Sequence, residues 1–308
     1  MNMLDRTIVY SYKVPYQIRE LLFKIRLFFF KKVPAFSIRK NLNNDPALLE
    51  ELKENGLVFL KSKSCPNDSQ TKSMVNHLEK LDKKNFYDHK ASKISYETND
   101  LAQHELFIKY SLDDDILCLV KNYFNAVPKI AFLKAWKVNS GTDDLPEMSF
   151  HMDHHGHRFL KVFWYLNDVE ENCGHHEYIQ KTHFQPEFDK YLKDAPDEVK
   201  EQIIKKRKLK GKYRIDNQIL IDHFRNDLIK ISGKEGSGFI EDTRGLHRGT
   251  EISQNTFRII YQVLYVPYIT DKDKNTHLRI RNKNAFEMFL RKNTKNHDLY
   301  KFIFSELL

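Results

Sequence analysis

His151 and Asp153 stand two residues apart in the stretch Phe150-His151-Met152-Asp153-His154-His155-Gly156-His157. In an extended chain, residues i and i+2 project from the same face, so an imidazole nitrogen and a carboxylate oxygen would lie side by side. One more histidine completes a set of two imidazoles and a carboxylate. That is the facial arrangement in which a six-coordinate iron(II) ion keeps three positions open, two for a bidentate cosubstrate and one for dioxygen. The best candidate for the third donor is His247, in Asp242-Thr243-Arg244-Gly245-Leu246-His247-Arg248-Gly249. Its flanking glycines let the backbone pass close to a site.

Arg258 follows His247 by eleven positions, and a turn through Thr250–Asn255 would bring it back beside that histidine on a neighbouring strand. Its planar fork suits bidentate capture of a carboxylate. Set among Phe257, Ile259, Ile260, Tyr261 and Val263, it is costly to bury without an anion. That anion is either a cosubstrate carboxylate or a protein Asp or Glu. A lone His-x-Asp is a weak motif; its weight here comes from one mechanism accounting for all four residues. The other histidines of this region, His154, His155, His157, His175, His176 and His183, read as surface residues, with support of the ligands or substrate contact as the alternative. A two-metal hydrolase is a rival, but the chain has no HxHxDH or HExxH, since His176-Glu177-Tyr178-Ile179-Gln180 lacks a second histidine.

The elements that must position these residues are legible in outline. Residues 1–44 read as a basic N-terminal arm with an amphipathic helix, and 45–308 as a single domain. Asn44 or Asp45 can cap a helix with Pro46 in its first turn, a stripe of Leu48, Leu49 and Leu52, and Gly56 at its end. Leu57–Leu60 follows as a strand. Lys72–Leu81 and Asp113–Phe124 read as helices. From about 130 to 268 the texture is one of short strands, at Ile130–Val138, Ser149–Asp153, Phe159–Asn167, Tyr178–Gln180, Gly236–Glu241 and Arg258–Tyr268, separated by polar turns. A charged helical insert occupies about 184–232, with Glu187–Lys208 interrupted at Pro196. Asn284–Arg291 and Asp298–Leu308 read as closing helices. Many short strands with turns predict a barrel or jelly roll, and the absence of GxGxxG and GxxxxGK[ST] leaves nucleotide-binding α/β folds without support.

Taken together, His151-Met152-Asp153, Phe159 to Val169, Glu171-Asn172-Cys173-Gly174, Thr182-His183, Gly245 to Gly249 and Arg258 resemble the phytanoyl-CoA dioxygenase family of the Fe(II)/2-oxoglutarate-dependent oxygenase superfamily. The match runs over roughly residues 130–268, with an echo at Glu54 to Phe59. The resemblance implies an α+β chain with a mainly β core. That core is a double-stranded β-helix, jelly-roll or cupin-like, with flanking helices on the N-terminal side and at the C-terminus. It implies iron held by His151, Asp153 and His247, the distal carboxylate of 2-oxoglutarate on Arg258, and Phe163 where members often carry a tryptophan beside the cosubstrate. The activity implied is hydroxylation of a C–H bond using O2, with release of succinate and CO2. Two positions depart from the family: Lys181-Thr182-His183 replaces Gly-Ser-His, and Gly249 stands where some members have a serine, with Thr250 or Thr256 available to compensate.

The formal charge of +9 favours anionic partners. We therefore expect a small or carrier-linked anionic substrate. The run Lys205–Arg214 reads as a solvated helix end, or else as a steering patch; no nucleic-acid motif accompanies it. Three scattered cysteines, Cys65, Cys118 and Cys173, predict neither a disulfide framework nor a structural zinc site, which fits a cytoplasmic location. No secretory leader is expected. The segment Leu21–Lys32 is basic, aromatic and too short to span a bilayer. As a helix it either packs on the domain or lies on an anionic membrane surface. The competing function is a non-enzymatic basic module that binds membrane or nucleic acid on the same scaffold.

Overall fold

A computed structural model describes residues 14–29, 45–85, 93–141, 145–209, 213–268, 280–293 and 296–308. Helix α1 (Tyr16–Phe29) comes first, then α2 (Pro46–Asn55), β1 (Leu57–Phe59), α3 (Asp68–Asn85), β2 (Lys93–Tyr96), α4 (Thr98–Leu101), α5 (Glu105–Ser111) and α6 (Asp114–Phe124). The β-rich centre holds β3 (Pro128–Asn139), β4 (Leu160–Tyr165) and β5 (His176–Ile179). Three helices interrupt it, α7 (Gln185–Asp194), α8 (Asp197–Leu209) and α9 (Asn217–His223), before β6 (Leu228–Ile231), β7 (Gly238–Glu241), β8 (His247–Gly249) and β9 (Phe257–Pro267). Helices α10 (Asn284–Lys292) and α11 (His297–Ile303) close the chain.

Local chemistry accounts for several boundaries. Asp45 caps α2 by accepting from Leu48 N, Pro46 opens the helix, and Gly56 ends it in the left-handed region at φ 79°. Asp113 caps α6, accepting from the backbone of Asp115 and Ile116. Pro196 separates α7 from α8. The expected insert is helical only as far as His223, because Leu228–Ile231 is a strand. The expected strand at Ser149–Asp153 is reduced to one bridge, His151 to His247.

All strand pairs are antiparallel. The large sheet has the order β1-β7-β4-β9-β3-β2 and the small sheet β6-β5-β8, and the His151–His247 bridge adds the trace of a fourth strand to the small one. From β3 onward the chain visits the sheets in alternation: β3 large, His151 small, β4 large, β5 and β6 small, β7 large, β8 small, β9 large. That winding makes a double-stranded β-helix, a jelly roll with an antiparallel core and flanking helices.

Strand parity assigns the faces. Leu160, Val162 and Trp164 of β4 and Ile259, Tyr261 and Val263 of β9 join the cluster that packs against the N- and C-terminal helices. The small sheet is backed by the insert, through Phe188, Leu192, Val199, Ile203, Leu220 and Phe224 packed with Phe150, Ile179 and Leu246. Between the sheets lie Phe163, Tyr165, Tyr178, Phe239 and Ile260, which hold the gap open around the polar residues described below.

Gly56 shows how tightly the α2–β1 corner is fitted. A Cβ there would run into the Tyr178 hydroxyl and the His183 ring, in a backbone conformation that L side chains rarely adopt. Gly56→Ala is expected to cost roughly 1–3 kcal/mol of stability, read as a lowered urea midpoint with unchanged slope.

Candidate metal centre

The bridge His151 N to His247 O and His247 N to His151 O, both 3.0 Å, sets the two histidines opposite one another. Their ring centroids are 4.2 Å apart. Asp153 follows in the extended stretch, anchored by its N–H to Thr243 O at 2.8 Å. One ligand atom from each of His151, Asp153 and His247 lies within 4.8 Å of the others, and no second such group of three occurs among the described residues.

The tautomers are arranged for coordination. His151 Nδ1 lies 3.0 Å from Ser149 O, and His247 Nδ1 lies 3.0 Å from Gly245 O. Each imidazole thus donates Nδ1–H to the carbonyl two residues upstream, and its Nε2 lone pair faces the cluster. Burial, with His247 beside it, presses the pKa of His151 down to about 3, so this ring stays neutral. For His247, burial opposes charge, but Glu241 and Asp153 overcome it and raise the pKa. Burial likewise opposes ionisation of Asp153, yet Lys161 and His247 hold its carboxyl well below the usual range. Two imidazole nitrogens, that of His247 giving up its proton on binding, and an ionised carboxylate, each within reach of one point, fit a divalent first-row ion.

Sequence reasoning missed three residues around this cluster. Lys161 points inward from β4, is only 8% exposed, and places Nζ 2.5 Å from Asp153 Oδ2. Glu241 faces Lys161 across the β4–β7 ladder, is fully buried, and neither of its oxygens makes a hydrogen bond. Glu241 lies 3.7 Å from His247 Nδ1 and 2.7 Å from His176 Nε2, the latter off the line of a hydrogen bond. Gln262, opposite Phe163, is buried with both amide atoms unsatisfied. The signal was present: Lys161 alternates with Phe163 and Tyr165, so it had to share their face.

Lys161 therefore supplies a countercharge to Asp153. Removing one partner of such a buried pair is costly. Lys161→Met is expected to lower the stability of the metal-free protein by about 1–3 kcal/mol, discounted for partial exposure. The same variant should gain more in thermal midpoint than the parent when nickel(II) is added, because no ammonium has to leave Asp153. Equal stability together with an equal nickel shift would show that the contact has no such role.

A cavity of about 250 Å³ opens on the cluster, lined among others by Trp136, Phe163, His176, Gly249, Arg258 and Gln262. Arg258 is 8% exposed and makes no ion pair among the described residues; its Nη1 donates to Gly174 O, while Nε has no partner. Among the described residues no Asp or Glu pairs with it, although Glu147 on the same cavity wall adds an attractive charge. Gly249 explains one departure from the family pattern. A Cβ there would sit 2.9 Å from Arg258 Nη2, so the missing side chain is the space the guanidinium occupies. Phe163 stacks on Phe239 at 4.9 Å and tilts against His176 at 5.4 Å, on the cavity wall. Thr250 is committed elsewhere, donating to His175 O at 3.0 Å, and Thr256 binds Ser253 O.

The remaining histidines differ from expectation. His157, His175, His176 and His183 are buried, His155 is partly so, and only His154 is exposed. His157 and His183 brace loops: His157 Nε2 lies 2.9 Å from Glu20 Oε2 of α1, and His183 Nε2 lies 3.0 Å from Lys53 O. Arg244 ties the loop before His247 to the same region, bonding Asp242 and donating to His157 O at 2.6 Å. The basic run is partly spent internally, with Lys205 on Glu201, Lys206 on Tyr213 O and Arg207 on Asp189; residues 210–212 lie outside the described residues.

No family model matches this chain, and no curated protein matches its sequence. Solved structures resemble it. HygX from Streptomyces hygroscopicus, with nickel and 2-oxoglutarate bound, aligns at a TM-score of 0.51 with 14% identity, covering 73% of this chain and 87% of HygX. The epimerase SnoN, in complex with Fe3+, alpha-ketoglutarate and nogalamycin RO, aligns at 0.52 with 13% identity, covering 73% and 85%. At such identity the likeness is one of architecture, and in architecture this chain is similar to both: a jelly roll whose antiparallel sheets are flanked by helices.

Proposed function

We propose that this protein is an iron(II)- and 2-oxoglutarate-dependent oxygenase of the phytanoyl-CoA dioxygenase type. One observation carries the reading: a two-histidine, one-carboxylate cluster whose Nδ1 atoms are taken by backbone carbonyls shares a cavity with a buried arginine that makes no ion pair among the described residues. In this reading His151, Asp153 and His247 hold iron. Arg258 takes the distal carboxylate of 2-oxoglutarate, and Phe163 lies against the cosubstrate. When bound, iron with 2-oxoglutarate and O2 supplies oxidative decarboxylation to succinate and CO2, together with oxidation of a substrate C–H bond.

The chain's own residues orient and insulate. The carbonyls of Ser149 and Gly245 fix the two rings, the Thr243 carbonyl anchors the backbone of Asp153, and Phe163, Phe239 and Ile260 keep the gap dry. Fold likeness to proteins with nickel or iron and 2-oxoglutarate bound is consistent with this assignment. The substrate we infer is a small or carrier-linked anionic molecule, in keeping with the charge of +9.

The test is metal analysis of protein purified without oxygen, then addition of 2-oxoglutarate. One iron per chain and a visible charge-transfer band support the oxygenase. Iron-loaded protein that gives no band and binds no 2-oxoglutarate leaves the basic binding module as the better account, and two metals per chain would favour the hydrolase. A metabolite screen read by substrate-stimulated succinate then finds the substrate. A product heavier by one oxygen means hydroxylation; unchanged mass means isomerisation.

A further inference from the structure

Helix α1 carries more apolar residues than its contact with the domain uses. Its inner face mixes polar contacts with buried Phe23 and half-buried Leu27. Arg19 is buried against Gln185, and Glu20 reaches His157 at 2.9 Å and Arg158 at 2.7 Å. Tyr16 and Phe23 flank the His157 ring at 5.3 and 5.5 Å. Its outer face is apolar: Ile18, Leu21, Ile25 and Phe28 recur at i, i+3, i+7 and i+10, and are 48%, 57%, 41% and 63% exposed. Helices on soluble domains turn such a stripe inward.

We propose that this outer face lies on an anionic lipid surface. Charge chooses the occupant. Lys24 sits within the stripe's own turns, three residues after Leu21 and four before Phe28, with its side chain 69% exposed. Over residues 14–44 the sequence carries seven basic residues, Arg19, Lys24, Arg26, Lys31, Lys32, Arg39 and Lys40, against the single acid Glu20. Residues 30–44 lie outside the described residues, and only their composition enters here. A second copy of this segment would bring like charges together, whereas acidic headgroups neutralise them. No described helix is long and apolar enough to cross a membrane, so α1 would lie in the interface plane, its apolar stripe in the acyl boundary and Lys24 among the headgroups. The inner face meanwhile stays on the loop after Asp153, through His157 and Arg158.

The experiment is co-sedimentation of the full chain with vesicles of phosphatidylcholine alone and with roughly 30 mol% phosphatidylserine. Binding to the serine-containing vesicles that weakens with added salt is expected. Leu21→Ser/Ile25→Ser should weaken it about tenfold or more, and so should Lys24→Glu/Lys31→Glu/Lys32→Glu; both sets change exposed side chains or residues outside the described ones. Light scattering of the parent and the Leu21→Ser/Ile25→Ser variant runs alongside. Equal binding to both vesicle types overturns the proposal, as does a parent dimer that this variant turns into a monomer, because a second copy then covers the stripe. Lipid binding that neither variant alters overturns it too.

Discussion

Asp153→Asn should abolish substrate-dependent succinate release, with a loss of about a thousandfold or more, equivalent to about 4 kcal/mol of transition-state stabilisation. Asp153 is the sole carboxylate of the cluster, and no other carboxylate among the described residues joins its donor set. Asparagine keeps the volume and a carbonyl oxygen but removes the charge, leaving two neutral imidazoles as the strong donors. Iron should fall well below one per chain. Lys161 loses its anion in the same step, so a far-ultraviolet spectrum and a thermal midpoint must show a folded protein before activity is interpreted. A folded Asp153→Asn variant with normal iron and normal turnover would sink the assignment of the ligands.

Arg258→Met should raise the KM for 2-oxoglutarate by about a hundredfold, the order of a lost bidentate ion pair in a dry site. Iron content should stay near one per chain, because Arg258 touches Gly174 and Gly249 rather than the three donors. Turnover at saturating cosubstrate should fall far less than affinity does. Stability is expected to hold, since burial already disfavours the charge of Arg258 and its Nε is unpaired. An unchanged KM would mean that the guanidinium serves another anion. Equal falls in kcat and kcat/KM would place it at the chemistry rather than at the anchor.

The candidate cluster was legible because i, i+2 spacing and chain order are local facts. His151, Asp153, His247 and Arg258 could be named before any pairing was known. Lys161 and Glu241 could not, although each is odd in its strand. Parity puts Lys161 with Phe163 and Glu241 with Phe239, but which face is the site depends on β4 meeting β7 in register, eighty residues away in sequence. His176 read as surface for a similar reason: its burial comes from β6 and β8 on either side. Short elements with half-exposed faces, such as β2 and β6, carry too little period to be seen. The Pro196 break and the Asp45 and Gly56 caps were readable because stereochemistry decides them.

Two of the three candidate donors, His151 and His247, stand on the small sheet, while Arg258 stands on β9 of the large one. A cosubstrate gripped at both ends would be a strut across the sandwich, and the separation of the sheets would act as a ruler. Keto-diacids one carbon shorter or longer than 2-oxoglutarate would reach only one end. Length discrimination would then be set by spacers that need never touch the ligand, Tyr165, Tyr178 and Phe239 wedged between the layers, and trimming one of them should loosen the choice of cosubstrate before it loosens the fold.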